Sequence, residues 1–194
     1  MMPLLRRIKS LLLAFAIPIV VLYGSGCLVS LQPLYNDKDL VFESKLLGVW
    51  KDTESSISWD CRRDGEKSYQ VVFTDEKGRK ATFAAHLLEV EGQRFIDLFP
   101  VTSGLRVNAL LLDHLVPVHT FAHVLSVEPE LRFAILDEDW LKKRLAVDPK
   151  VLRHERRDDD VVVTASAEEL QRFLLANLAS KGAFRPTGAL RRSR

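Results

Sequence analysis

Apolar and polar positions along the chain follow three regimes. The first is a block: Leu11 to Leu22, LLLAFAIPIVVL, is an uncharged run of about a dozen residues behind the basic head MMPLLRRIKS. The second is alternation, which fills the middle of the chain. In SISWDC, Ile57 and Trp59 fall on one side. SYQVVFTD and KATFAAHLLEV flank the turn DEKG, so Tyr69 to Val90 is predicted as a β-hairpin. RFIDLFP is a short strand closed by Pro100, and VHTFAHVLSV and LRFAILDE make a second hairpin around EPE. Two strands around an acidic turn are predicted in VLRHERRDDDVVVTA. The third regime is helical spacing. In SAEELQRFLLANLASKG, Ser166 and Glu169 fit a capping box. Leu170, Phe173, Leu174 and Leu178 form one apolar face, and Gly182 ends the helix. DEDWLKKRL has Asp137 as a helix N-cap, acids in its first turn and bases in its last. DLVFESKLLG is expected to hold a short helix before Gly48, and Leu105 to Leu115 fits a strand or a helix.

About eight strands joined by short connections cannot be linked by repeated helical crossovers, so antiparallel pairing is expected. The predicted class is α+β: a mainly antiparallel sheet curled into a barrel or half-barrel, with a C-terminal helix and one short internal helix.

Charge changes the picture only once the head is set aside. The chain has 28 basic and 26 acidic residues; without Arg6, Arg7 and Lys9 it has 25 basic against 26 acidic. A body of that balance carries no electrostatic footprint for nucleic acid. Two cysteines, Cys27 and Cys61, do not make a disulfide scaffold.

The basic head, the apolar run and the small residues of YGSGC have the layout of a secretory signal peptide. Ser25 and Gly26 before Cys27 resemble the lipobox of bacterial lipoproteins. That resemblance implies a diacylglyceryl group on the Cys27 thiol and cleavage just before it. It implies attachment to the membrane through that lipid, on the periplasmic face of the outer membrane in a Gram-negative host. The alternatives are an uncleaved anchor, with Arg6, Arg7 and Lys9 on the cytoplasmic side, and a secreted protein. The predicted organisation is a signal peptide over 1–26, a lipid-anchored tether over 27–45, an α+β domain over 46–184 and a basic tail over 185–194.

LLGVW is similar to the Gly-x-Trp motif that opens the first strand of lipocalin-like barrels, with Gly48 and Trp50 at the matching positions. The resemblance implies that the Trp closes one barrel end. QPLY, GVW, PVHTF, DEDWL and TASAEELQRFL together resemble a group of uncharacterised bacterial lipoproteins with a lipocalin-like domain.

The candidate chemistry is sparse. DHLVPVHTFAHV holds His114, His119 and His123. On a strand, His119, Phe121 and His123 share a face, and two imidazoles four residues apart stand about 13 Å apart at the backbone, which is too far for one metal. No metal site, cofactor motif or catalytic triad is expected, and Asp158 to Asp160 lacks the spacing of a calcium loop. Trp50, Trp59, Phe121, His119 and His123 are the candidate ligand-binding residues, among aromatics that either line a cavity or pack a core. The expected function is a non-enzymatic envelope protein that binds an apolar small molecule or lipid, or an envelope protein partner. The alternative is an envelope hydrolase or metal-dependent enzyme built around His114, His119 and His123.

Overall fold

Alternation of inward and outward side chains dominates the fold, as it does the sequence. The computed structural model describes residues 28–103 and 108–193; the predicted signal peptide and Cys27 lie outside the described residues. Two short strands come first, β1 (Val29–Ser30) and β2 (Leu40–Val41). A run of seven antiparallel neighbours follows: β3 (Gly48–Asp52), β4 (Ser58–Arg63), β5 (Ser68–Thr74), β6 (Lys80–Val90), β7 (Gln93–Pro100), β8 (His119–Ser126) and β9 (Glu130–Leu136). The short helix α1 (Ala109–Asp113) lies between β7 and β8. After β9 come α2 (Glu138–Val147), β10 (His154–Arg157), β11 (Asp160–Val163) and α3 (Ala167–Asn177). The chain ends with β12 (Phe184–Pro186) and β13 (Leu190–Arg192).

The seven-strand run is closed by β13, which pairs with β3 on one edge and β9 on the other. The result is a closed eight-stranded antiparallel barrel, so the half-barrel alternative does not apply. Closure satisfies the edge groups that an open sheet would leave unpaired.

The local determinants are those of the sequence. Asp75 accepts from the backbone N–H groups of Lys77 and Arg79 and fixes the β5–β6 turn. Glu91 and Gly92 both take positive φ, as a tight two-residue β6–β7 turn requires. Asp137 caps α2 through the Trp140 N–H, and Ser166 and Glu169 close the capping box of α3. The ambiguous stretch at Leu105 to Leu115 resolves at its far end into α1. The helix expected in DLVFESKLLG is instead the short strand β2 followed by a single 3₁₀ turn, Ser44–Leu46.

Two cores result. The barrel interior holds Leu46, Trp50, Tyr69, Val71, Ala85, Leu87, Ile96, Leu131, Phe133 and Leu190. The second core lies outside the barrel wall, where Leu88, Phe95, Phe121 and Leu136 meet Leu141 and Leu145 of α2 and Leu170, Phe173 and Leu174 of α3. That outer layer explains why several strands are apolar on both faces.

The predicted limits of the domain need correction at both ends. The segment expected as a tether is built into the fold from Leu28 onward. β1 pairs with β8 and β11, and Leu28 and Leu34 are buried in the outer core. The expected basic tail supplies β13, the strand that closes the barrel. Leu190 faces the interior, and Arg192 lays its guanidinium 4.4 Å from the centre of the Trp50 ring. A stacked cation and a strand ladder thus stand where a basic tail was expected.

Candidate functional site

The two ends of the barrel are built from different turns. At one end lie the β4–β5, β6–β7 and β8–β9 turns and the start of β3. This end is packed shut. Trp50 is fully buried and donates its indole N–H to the Leu46 carbonyl at 2.8 Å. Arg192 donates to the carbonyls of Leu47 and Lys45 across the same end. Gly48 has φ +118°, a backbone conformation that L side chains rarely adopt, so glycine is favoured there; a Cβ would also displace the Arg192 guanidinium, 2.8 Å away.

At the other end lie the β3–β4 and β5–β6 turns, the β7–β8 connection and Gly188. Here the barrel is hollow. A cavity of about 330 Å³ is walled by Trp59, Phe73, Ile96, Leu98, Ala122 and Phe133, with Ile135 and Leu190 completing its apolar surface. Asp52, Thr187 and Gly188 lie at its polar margin. Trp59 meets Phe73 edge-on at 5.8 Å and stacks on Phe133 at 5.4 Å, so its indole is held in one orientation. The sheet itself accounts for the space. Pairing between β8 and β9 stops at His123 and Ala134; nearer this end His119 and Thr120 pair with β1 instead. The wall therefore parts where the cavity lies.

The structure separates the predicted ligand-binding residues. Trp59 lines the cavity, and Trp50 closes the opposite end. Phe121 borders the cavity from β8 and packs in the outer core. His119 and His123 share one face with Phe121 and stand outside the barrel wall. His119 Nδ1 lies 2.7 Å from Asp97 Oδ1, and His123 Nε2 lies 3.1 Å from the Gln93 side-chain oxygen. His114 is exposed at the end of α1, with Nδ1 2.7 Å from the Leu110 carbonyl. Each histidine thus has a separate partner. Among the described residues no group of three histidine, cysteine or carboxylate side chains is placed to hold a metal.

Asp97 is the most buried carboxylate and was not singled out from sequence. It accepts the Leu34 N–H at 2.9 Å as well as contacting His119, so it fastens the N-terminal segment to the barrel wall. His86 lies across from it on β6 and packs in a tilted arrangement against Tyr35, with ring centres 4.4 Å apart. Burial holds the His86 and His123 imidazoles below their ordinary pKa, and burial raises that of Tyr35. Cys61 is free and buried inside the barrel, and burial pushes its thiol up to about 12, which leaves it protonated and unreactive near neutrality.

Comparison with family models, curated proteins and solved structures finds no match. Among the described residues, no helix is long and apolar enough to cross a membrane.

Proposed function

We propose that this chain is a non-enzymatic, lipid-anchored envelope protein. Its lipocalin-like barrel binds one apolar small molecule, or one acyl chain of a lipid, in the cavity beside Trp59. The observation that carries the reading is the hollow end itself: a cavity of about 330 Å³ with aromatic and aliphatic walls and polar groups only at its margin. That volume lies at the lower end of the roughly 300–1,000 Å³ typical of small-molecule sites, and the division into apolar wall and sparse polar rim is the usual one. The lipobox-like residues before Cys27 support the address, and the Gly48–Trp50 pair at the closed end supports the lipocalin-like description.

The test uses native mass spectrometry of the full chain purified in mild detergent, followed by solvent extraction. A bound apolar adduct is expected in the parent chain. It is expected to be missing from Ala122→Phe, in which the new ring occupies the cavity and leaves the fold intact by circular dichroism. No adduct in the parent, or equal adducts in both, contradicts the reading.

A further inference from the structure

The wall of the hollow end is apolar, but one strand brings an acid to it. Side chains alternate along β3, so Asp52 falls on the interior face, two residues beyond the buried Trp50. Its register partner on β13 is Leu190, which lines the cavity with it. Among the described residues that line the cavity, Asp52 is the one charged side chain, and no lysine, arginine or histidine stands with it.

The two oxygens of Asp52 have different tasks. Oδ1 accepts the backbone N–H groups of Glu54 and Ser55, both at 2.8 Å, and so shapes the β3–β4 turn. Hydrogen bonds from Glu54 and then Ser55 hold the carboxyl below its ordinary pKa, which leaves it an anion near neutrality. Oδ2 takes neither of those N–H groups. It lies over Gly188, where a Cβ would come within 2.7 Å of it, so the bare backbone leaves this oxygen its place at the mouth. Thr187 adds a second acceptor: its hydroxyl proton is directed at the carbonyls of Phe133 and Gly188, and the lone pairs of Oγ1 remain to accept. Arg79, on the β5–β6 turn at this end, is tied to Asp75.

We infer that the cavity selects a ligand whose polar head donates hydrogen bonds, a primary amine on an apolar tail ahead of an alcohol, with Asp52 Oδ2 as the acceptor. The inference rests on the cavity reading and names the ligand class for it. The apolar wall supplies affinity to any tail that fits. The margin then ranks the heads. An ammonium donates and brings the opposite charge, an alcohol donates without it, and a carboxylate or phosphate meets like charge with no lining cation to offset it. Anionic heads are bound more weakly rather than shut out, because Asp52 is only half-buried and water screens it.

The test titrates the full chain in mild detergent, near neutral pH, with octylamine, octanol and octanoate, and reads affinity from the methyl signals of Leu98 and Ile135. Each probe is compared between the parent and Asp52→Asn, so its partition into detergent cancels. The asparagine keeps an oxygen for the Glu54 and Ser55 N–H groups and removes the charge. Octylamine should lose about threefold or more in affinity in the variant, octanoate should gain, and octanol should change least. A second reading needs no variant: added salt should weaken octylamine and strengthen octanoate in the parent, and leave octanol in place. Ala122→Phe should remove binding of all three. If it does, but Asp52→Asn and salt leave the three affinities unchanged, the cavity reading stands and the selection by Asp52 is overturned. If no probe binds the parent, or Ala122→Phe binds all three as the parent does, the cavity reading fails and the inference with it.

Discussion

At the closed end of the barrel, Trp50, Leu46, Leu87 and Leu131 have essentially no exposed surface, and a cation stacked on the indole seals them. At the open end, Trp59, Phe73, Leu98 and Ile135 are only half-buried, and their bare surface faces an internal space. The strands are the same and the side-chain types are similar. What differs is how the strands pair. β13 ties β3 to β9 and brings Arg192 over the closed end, whereas β8 gives up β9 for β1 at the open end. Packing density is thus set by register and not by composition: one end of the interior acts as a core, and the other is left as a site.

The severest way to break the comparison is to remove the strand that makes it. A chain ending at Gly188 lacks β13 and exposes the edges of β3 and β9. It should lose cooperative thermal unfolding by circular dichroism, whereas a trimmed solvated tail would change nothing. Next in size, Trp50→Ala should cost about 3–5 kcal/mol in denaturant titration, as expected of a fully buried aromatic. Leu98→Ala at the hollow end should cost clearly less, since part of that side chain meets no neighbour. Equal costs would mean that the open end is packed after all. The outer wall gives a third reference. Asp97→Ala leaves the buried Leu34 N–H without an acceptor and should cost about 1–3 kcal/mol. It should also speed amide exchange at Leu34.

The smallest effect is in pH. His86 and His123 have lowered pKa values in the fold because burial disfavours the charged imidazole. Below about 6.5 the unfolded chain takes up protons that these two side chains resist, so stability should fall as pH drops through that value toward their lower folded values. It should be flat above it for these groups. His86→Gln should reduce the acid-side slope of the denaturation midpoint without moving its neutral value by a comparable amount.

Much of this was legible from the sequence, for a physical reason. The hairpins and the two longer helices are specified by alternation and capping within a few residues, so Tyr69 to Val90, Asp137 and Ser166 could be placed from local pattern. β13 could not. It is three residues long, its inward members are a leucine and an arginine, and only contact with Trp50 gives that arginine a role. β1 was hidden in an apolar stretch that also suits a tether. The shared face of His119, Phe121 and His123 follows from the strand period. Which side of the wall it occupies does not, because β8 is covered on both sides and both faces are partly apolar. The cavity was least legible of all, since it is made by a change of strand partner that no single segment encodes.

The most direct test of the two-ended barrel is methyl-resolved NMR of the full chain, titrated with a medium-chain fatty acid as probe. The account predicts that shifts concentrate on the methyl groups of Ile57, Ile96, Leu98, Ile135 and Leu190, while those of Leu46, Leu87 and Leu131 stay in place. Shifts spread evenly over both groups, shifts confined to the closed end, or no shifts at saturating probe would contradict it.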